Sequence, residues 1–338
     1  MKILIYGESY WYGVALPLQK AFEKLGHEVD LFDWTGFLFR AKKINLFNRI
    51  LDRILIVHVI RQINSNFLKA VRKDKADFIL VLQGKHLLSQ TVQLTKEYCR
   101  YIANWHIDDF LNPCVNNSKF LRSSLKYYDC IYSARKHLSC DYYRYGARRV
   151  EWLNWFYYPE KQYPLELAEN DTLKWGGDIA FIGTWSKYRE KMINNLRGFN
   201  IKIWGAHWNK AERDFKRNFN VVYKEAWFEE MSKVVNSTKI IIDVLTKENR
   251  DAINLKNFQI PACGGFLITE RTEQLLELFE EDKDIVCYST VEELRAKCEY
   301  YLEHENERKK IAQNAYAKVV KGNNTLLDRA KQILDTVS

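Results

Sequence analysis

The chain lacks the patterns that would tie its fold to metals, disulfides or a membrane span. Its seven cysteines are odd in number and include no C-x-x-C pair, which argues against a zinc site and a disulfide framework. The longest apolar run, residues 54–60, is far too short to cross a bilayer. The first strand-like residues follow Met1 directly, without the regions of a signal peptide, so we expect a cytoplasmic protein.

What the chain does contain is sufficient for two globular domains. It has 338 residues, of which 47% are hydrophobic and 14% aromatic, a composition that argues against disorder. No internal repeat of the solenoid kind is visible. We therefore interpret the sequence patterns described below as parts of compact globular domains.

Strand and helix patterns alternate along the chain, which predicts parallel, doubly wound sheets. In the first half we expect strands at residues 3–6, 28–32, 78–82, 101–106, 130–132 and 149–153. Residues 159–177 have no clear period, and a second alternation follows with strands at 178–182, 201–204, 240–244 and 266–269. The predicted α/β domains are 1–165 and 178–320, joined by a linker at 166–177 and followed by a terminal helix at 321–338.

Positive charge is concentrated in the first half. Residues 1–150 contain 24 Lys plus Arg against 13 Asp plus Glu, a balance of +11, which leaves −2 of the total +9 for the remainder. This balance favours an anionic acceptor or surface, such as nucleic acid, a phosphate-bearing polysaccharide or lipid, or a membrane face. Solvated helix faces that keep the protein soluble would produce the same balance.

A long amphipathic helical stretch is predicted at 37–72. It carries Arg49, Arg53 and Arg61 beside an apolar stripe of Leu46, Ile50, Ile54, Val57, Ile60 and Ile63. Such a stretch could lie on an anionic membrane surface as a peripheral contact. The pattern is also typical of helices that pack on a sheet with their arginines reaching solvent, and we favour that interpretation.

Residues 254–270 combine a polar helix start, a helix, a glycine break and a buried strand. The run from Asn254 offers backbone N–H groups and the positive end of a helix dipole, which suit a phosphate. Gly264 and Gly265 are expected to end the helix in a left-handed conformation. Glu270 then falls at the carboxyl end of a strand, where open α/β sheets bind ligands. An ordinary αβ unit without a ligand would show the same pattern.

The same segment, NLKNFQIPACGGFLITER at 254–271, resembles the C-terminal domain of CgeB-like glycosyltransferases, the spore maturation protein family. The resemblance continues through EQLLELF at 273–279, DIVCY at 284–288, YYLEH at 300–304 and NTLLDRA at 324–330, and upstream through DIAFIGT at 178–184 and IKIWG at 201–205. It covers most of residues 178–338. The N-terminal half matches more loosely, through LVLQGK at 80–85 and WHIDD at 105–109.

The resemblance implies a group 1 glycosyltransferase of the GT-B type, with two Rossmann-like domains facing a cleft and no bound metal. It also implies that the last helix crosses back to the N-terminal domain. The donor would be a nucleoside-diphosphate sugar, with a UDP-sugar as the first expectation and no further cofactor. Donor contacts are expected from Asn254, Lys256, Asn257, Gln259, Gly264, Gly265 and Glu270.

One position departs from the group's pattern. Gln259 stands where related enzymes usually carry a glutamate expected to hold the donor's ribose hydroxyls. An amide can accept one hydrogen bond and donate two, but it lacks the stronger charge-assisted bond of a carboxylate. Asp251, eight positions earlier, could partly restore an anionic contact.

A second segment suits a departing diphosphate. In residues 183–189 we expect Gly183 to allow close backbone approach, Thr184 to offer a hydroxyl beside Trp185, and Lys187 and Arg189 to supply positive charge. A short loop with a serine helix cap is the alternative interpretation.

Aromatic side chains of the C-terminal domain could stack on the base. The candidates are Trp204, beside Gly205 at a strand end, and Tyr223. A role in the core or on the surface is an equally good interpretation for each of them.

Activation of an acceptor hydroxyl requires a base in the N-terminal domain. Asp108 or Asp109, supported by His106 or Glu8, fits this requirement because these residues follow predicted strands. Gly7, Ser9 and Tyr10 are expected on the same acceptor side. Two other functions remain open: a nucleic-acid glycosyltransferase acting on modified bases, and a non-catalytic sugar-nucleotide-binding protein.

Overall fold

The computed structural model describes residues 1–10, 13–39, 45–112, 118–246 and 252–337. The chain divides into two compact units, the first formed by Met1–Asn154 with Leu326–Ser338 and the second by Trp155–Thr325. Each unit contains a six-stranded sheet in which all strands are parallel. The predicted α/β class with two Rossmann-like parallel sheets is therefore confirmed.

The sheet of unit 1 has the order β2-β1-β3-β4-β5-β6. Its strands are β1 Lys2–Gly7, β2 Glu28–Asp33, β3 Phe78–Leu82, β4 Tyr101–His106, β5 Cys130–Ser133 and β6 Val150–Trp152. The helices between them are α1 Ala15–Lys24, α2 Leu46–Ile54, α3 Ile56–Asp74, α4 Ser89–Thr95, α5 Ser118–Ser124 and α6 Ser139–Arg144. Strand β3 is an unbroken apolar run because helices cover both faces of the sheet and Phe78–Val81 are fully buried.

The sheet of unit 2 has the order β12-β11-β10-β7-β8-β9. Its strands are β7 Gly177–Ile182, β8 Ile201–Trp204, β9 Asn220–Val221, β10 Thr238–Ile242, β11 Leu267–Glu270 and β12 Val286–Tyr288. Its helices are α7 Glu169–Trp175, α8 Lys187–Asn194, α9 Arg213–Asn218, α10 Glu229–Asn236, α11 Lys256–Ala262, α12 Glu273–Leu276, α13 Val291–Glu303 and α14 Glu305–Lys321. The four strands predicted here, β7, β8, β10 and β11, agree with these bounds to within two residues. The short strands β9 and β12, of two and three residues, were not predicted.

The last helix, α15 at Leu326–Val337, belongs to unit 1, where it packs against α1. Its apolar side chains Leu326, Ala330 and Ile333 are buried. The hydroxyl of Tyr132 donates to the carbonyl oxygen of Ile333 at 3.3 Å. A short C-terminal segment thus completes the core of the N-terminal unit.

Residues 155–177 form part of unit 2, whereas we predicted the end of the first domain and a linker there. The indole N–H of Trp155 donates to the carbonyl of Ile253 at 2.8 Å, and the ring of Tyr158 lies 5.3 Å from that of Phe228. Residues 169–175 form helix α7. Residues 155–158 are consecutive buried aromatics without the periodicity of a helix or a strand. Their contacts with unit 2 therefore could not be predicted from the sequence pattern.

The amphipathic stretch is divided between α2 and α3. In α3, Val59 and Ile63 are fully buried in the core, in agreement with the interpretation that we favoured. In α2, however, Leu46 and Ile54 are 74% and 70% exposed, so for this helix that interpretation was wrong. Residues 40–44 lie outside the described part of the chain.

Candidate active site

The sheet of unit 2 changes direction between β7 and β10, which are neighbours in the sheet although two strands, β8 and β9, lie between them in the chain. Connections on the two sides of such a point leave in opposite directions and open a crevice at the strands' carboxyl ends. Open α/β sheets bind ligands in this crevice, which makes it the candidate site of unit 2.

Two cationic side chains bridge the carboxyl ends of these strands. Lys256 donates from Nζ to the carbonyl oxygen of Ile182, the last residue of β7, at 3.2 Å, and it forms an ion pair with Asp243, directly after β10. Arg189 donates from Nη1 to the carbonyl of Thr184 at 2.9 Å and from Nε to that of Val244 at 2.8 Å. Positive charge is therefore held where the crevice opens.

The Lys256–Asp243 pair is almost removed from water. The Asp243 side chain is fully buried and that of Lys256 is 13% exposed. Burial alone would raise the pKa of Asp243, but the Lys256 ammonium and the Asn254 amide, at 2.5 Å from Oδ2, hold that pKa below its ordinary value. The carboxylate therefore stays ionised and fixes the position of the ammonium group.

A cavity of about 180 Å³ lies beside this pair. Strand ends and the loops that follow them supply most of its walls: Ile182, Gly183, Thr184, Trp204, Gly205, Glu225, Ala226 and Trp227. Met231 of α10 and three residues at the start of α11, Leu255, Lys256 and Gln259, close it. A larger cavity of about 750 Å³ lies at the opposite, amino ends of the strands, around Gly177 and Thr238, away from the edge where α/β sheets bind ligands.

Trp204 is the most distinctive wall of the small cavity. Its ring is 3% exposed and stacks on Trp175 with centroids 5.2 Å apart. Its buried indole N–H has no hydrogen-bond partner among the described residues. A buried donor without a partner is costly, so a ligand group that accepts from it would be stabilised.

Two glycines let the loops after β7 and β8 approach closely. A β-carbon on Gly205 would lie 2.0 Å from the carbonyl oxygen of Gly183, and one on Gly183 would lie 2.9 Å from the ring of Phe181. Neither position has room for a side chain.

The six predicted donor residues that line the cavity are Gly183, Thr184, Trp204, Gly205, Lys256 and Gln259.

The start of α11 differs from the prediction. Asn254, Lys256 and Asn257 were expected to present free backbone N–H groups, but these groups already donate within the turn. The N–H of Asn254 donates to Asn257 Oδ1 and that of Lys256 to Asn254 Oδ1, both at 2.8 Å, and that of Asn257 donates to the Asn254 carbonyl. The two asparagines therefore shape the turn and orient Asp243, and the side chain of Lys256 supplies the positive charge.

Gly264 and Gly265 end α11, as predicted, but at its far end from the cavity. Gly264 has φ +77°, and the N–H of Gly265 donates to the carbonyl of Ile260 at 3.0 Å. Both glycines line the cavity at the amino ends of the strands. The structure therefore gives this pair the role of forming the turn, away from the small cavity.

Other predicted donor residues lie outside the cavity walls. Lys187 pairs with Glu190 and Glu212 in a surface groove, and the indole N–H of Trp185 donates to Glu190 Oε2 at 2.9 Å. Tyr223 is 54% exposed with φ +57°. Glu270 ends β11 and accepts from the N–H of Leu245 at 2.8 Å. Asp251 lies outside the described residues.

Sequence reasoning missed Asp243, Glu225 and Trp227. Asp243 was placed inside an apolar strand, and a carboxylate in such a run is itself a signal, because a buried charge needs a partner. Glu225 and Trp227 line the cavity from a loop whose sequence has no recognisable motif. Only the path of the loop reveals them.

In unit 1 the sheet changes direction between β1 and β3. Glu8, after β1, forms an ion pair with Lys85, after β3, with an oxygen–nitrogen distance of 2.8 Å. The hydroxyl of Ser9 donates to Asp33, and the Tyr10 carbonyl accepts from Gly13 at 2.8 Å. Gly7 packs so closely that a β-carbon would lie 2.9 Å from that of Ala15.

His106 is fully buried at the end of β4. Its Nδ1 lies 2.8 Å from the Asp108 carbonyl oxygen, which can only accept, so Nδ1 carries the proton of the neutral ring. Burial lowers the pKa of His106 to about 4, more than the hydrogen bond to Asp108 raises it. The side chain therefore acts as a neutral support for the turn and is poorly placed to act as a base.

Two carboxylates follow His106. Gln83 Nε2 donates to Asp108 Oδ2 at 3.2 Å, and the N–H of Leu111 donates to Asp109 Oδ1 at 2.8 Å. Arg135, 3% exposed, is attracted to both carboxylates and donates from Nε to the Ile107 carbonyl at 3.3 Å. The two aspartates remain half-buried, which leaves them better placed than His106 for contact with a ligand.

No group of three or more His, Cys, Asp or Glu side chains among the described residues is arranged to hold a metal ion. None of the helices in the described ranges is long and apolar enough to span a membrane.

Comparison with known proteins places these features in context. Residues 188–335 match the family model described as glycosyl transferase-like. No curated protein sequence matches the chain.

Solved structures align over nearly the whole chain at low identity. HepE of Anabaena in complex with UDP is 14% identical, with 100% of this chain and 99% of HepE covered and a TM-score of 0.67. Sucrose-phosphate synthase of Thermosynechococcus elongatus is 9% identical, with 99% of this chain and 98% of the synthase covered and a TM-score of 0.73. A glycosyltransferase of Rickettsia africae is 12% identical, with 99% of this chain and 97% of that enzyme covered and a TM-score of 0.70.

The structure of HepE has also been solved with UDP-glucose. It is 13% identical to this chain, with 100% of this chain and 99% of HepE covered and a TM-score of 0.66. The similarity to these structures establishes the fold, and the family match covers α8 to α15. The chain therefore has the GT-B fold, and residues 188–335 match the glycosyl transferase-like family.

Proposed function

We propose that this protein is a CgeB-like glycosyltransferase that takes a nucleoside-diphosphate sugar in unit 2 and transfers the sugar to an acceptor hydroxyl on unit 1. One observation supports this proposal most strongly. Lys256 and Arg189 bridge the ends of β7 and β10 beside a cavity at the point where the sheet changes direction. The complexes of HepE with UDP and UDP-glucose make UDP-glucose the first donor to test.

The chemistry requires stabilisation of a departing diphosphate. Lys256 and Arg189 would take up its negative charge without a metal ion, because both are held in place before the donor binds. A cavity of about 180 Å³ is smaller than the roughly 300–1,000 Å³ of a typical ligand site. It would therefore hold the base and ribose, with Gln259 at the ribose hydroxyls, while the diphosphate and sugar extend beyond it.

The acceptor hydroxyl needs a base as its proton is lost. We assign this role to Asp108 or Asp109, because their half-buried carboxylates can contact a ligand, whereas His106 is fully buried. Unit 1 contains the basic first 150 residues, so the acceptor would carry negative charge. Asp108→Asn and Asp109→Asn should each leave donor binding intact, and one of them should lower turnover by about a hundredfold or more.

Calorimetric binding of UDP, GDP, dTDP, CMP and their sugars tests the donor site. Lys256→Met should weaken binding of the preferred nucleotide at least tenfold, because a charge-assisted contact of about 1.5–3 kcal/mol is lost. Lys187→Met is the matched control, since that lysine lies outside the cavity and should change affinity little. Equal losses in both variants, or no binding by any nucleotide, would contradict the proposal.

The Lys256 variant leaves Asp243 buried without its partner, which lowers the free energy of unfolding. Trp204→Phe provides a second measurement, because it keeps an aromatic side chain but removes the indole N–H together with the five-membered half of the indole. It should weaken nucleotide binding several-fold while thermal unfolding shows a folded protein. Unchanged affinity in this variant would remove Trp204 from the site.

Two alternatives follow from specific features. The charge of unit 1 would also suit a nucleic acid, and a steep loss of binding with added salt would support that acceptor. Gln259 would suit a sugar-nucleotide sensor without turnover. Gln259→Glu should raise donor affinity about fivefold through a charge-assisted bond if the protein is a transferase; binding without any turnover, before and after the substitution, would favour the sensor.

A further inference from the structure

Helix α2 of unit 1 has its polarity reversed relative to an ordinary surface helix. Its buried side chain is that of Asp52, whose Oδ1 accepts from the N–H of Phe39 at 2.7 Å. Its exposed side chains include Leu46 at 74%, Phe47 at 65% and Ile54 at 70%. The core of unit 1 therefore does not explain the apolar residues of this helix.

The exposed apolar residues form one continuous stripe. With about 100° of rotation per residue, Leu46, Phe47, Ile50 and Ile54 fall within an arc of about 100°, while Asp52 lies on the opposite side. Leu55 and Val57, 37% and 59% exposed, extend the stripe into the start of α3. Isolated apolar residues are normal on a surface, but a stripe of six is typical of an interaction face.

Basic residues border this stripe. Arg49 and Arg53 are exposed on one side of it, and Arg61 is exposed on the next helix. From residue 45 to residue 73 the chain has six Lys or Arg and a single acidic residue, the buried Asp52. The outer face of this region therefore combines apolar side chains with positive charge and lacks negative charge.

We propose that the face formed by Leu46, Phe47, Ile50, Ile54, Leu55 and Val57, with Arg49 and Arg53 beside it, binds the surface of an anionic lipid bilayer. The apolar stripe would enter the boundary between headgroups and acyl chains, with α2 parallel to the membrane. The arginines would contact phosphate groups of the lipids. This inference is independent of the proposed transferase activity.

Sedimentation with lipid vesicles tests the proposal on the full-length chain. Wild-type protein should bind phosphatidylcholine vesicles that contain roughly one-third phosphatidylglycerol, and bind pure phosphatidylcholine vesicles much more weakly. The Leu46→Ser/Ile50→Ser/Ile54→Ser variant should lose at least about tenfold in binding. Arg49→Gln/Arg53→Gln should lose about fivefold per charge at low salt.

A matched control changes three exposed leucines elsewhere, as Leu94→Ser/Leu173→Ser/Leu276→Ser, and should bind vesicles like wild type. Circular dichroism checks that each variant is folded. No binding of wild type to anionic vesicles, or equal binding of the Leu46/Ile50/Ile54 variant, would overturn the proposal. So would concentration-dependent self-association, measured by light scattering, that the same variant abolishes, because the face would then bind a second copy.

Discussion

At the scale of single residues, the structure assigns different tasks to side chains that look equivalent in sequence. Lys187 and Lys256 are both lysines near predicted phosphate-binding turns. Lys187 is exposed and pairs with Glu190 and Glu212, whereas the largely buried Lys256 lies against a fully buried carboxylate at the end of β10. Only the second has its charge fixed beside a cavity.

His106 leads to a prediction about pH. Its pKa is about 4 in the folded protein and about 6.5 in an unfolded chain. Between these values the unfolded state binds a proton that the folded state does not, so the free energy of unfolding falls as the pH is lowered through this window. The total loss from this residue is about 3 kcal/mol.

Urea denaturation of wild type and His106→Gln at several pH values between about 4 and 7 measures this effect. The variant is expected to be less stable at pH 7 but to show a shallower decline towards acid. Parallel curves for the two proteins would mean that His106 titrates normally and would restore it as a candidate base.

At the scale of elements, the turn after α11 shows why its glycines are needed. A β-carbon on Gly265 would lie 2.3 Å from Val235 Cγ1 and 3.0 Å from Ile260 Cγ2. Gly265→Ala should therefore lower the free energy of unfolding by about 1–3 kcal/mol through overpacking. Thermal and denaturant unfolding measure the change.

Gly177→Ala is the matched control, because the nearest atoms to its new β-carbon would be 3.7 Å away. This change should stay within about 0.5 kcal/mol. Nucleotide affinity of the folded Gly265→Ala protein should equal that of wild type, since the turn lies at the far end of α11. A specific loss of nucleotide affinity would instead return the glycine pair to the donor site.

At the scale of the whole molecule, the C-terminal helix links the chain's end to its first domain. Removal of Leu326–Ser338 should destabilise unit 1 by at least about 3 kcal/mol, because buried Leu326 and Ile333 would be lost from its core. Differential scanning calorimetry should show an earlier transition for unit 1 and little change for unit 2. Lys331→Ala, an exposed position on the same helix, should leave both transitions in place.

Much of the fold could be predicted from the sequence. Strand β3, for example, is a local apolar run, and the alternation of strand patterns with helices predicts parallel sheets without knowledge of the pairing. The site was predictable only in part: Lys256 and Gln259 belong to a contiguous helix start, whereas Asp243 lies in a distant part of the sequence, directly after β10. The boundary between the two units at Asn154 was missed because Trp155–Tyr158 pack within unit 2 but lack the periodicity of a helix or a strand.

The sequence by itself determined the α/β class, the positions of ten of the twelve strands in the described ranges, the glycine turn after α11 and the basic character of the first half. These depend on residues close together in the chain. The tertiary structure decided which groups meet across the sheet, as Arg189 meets the carbonyl of Val244 55 positions away. It also decided that His106 is neutral and that the stripe of α2 faces outward, because burial is a property of packing and cannot be read from periodicity.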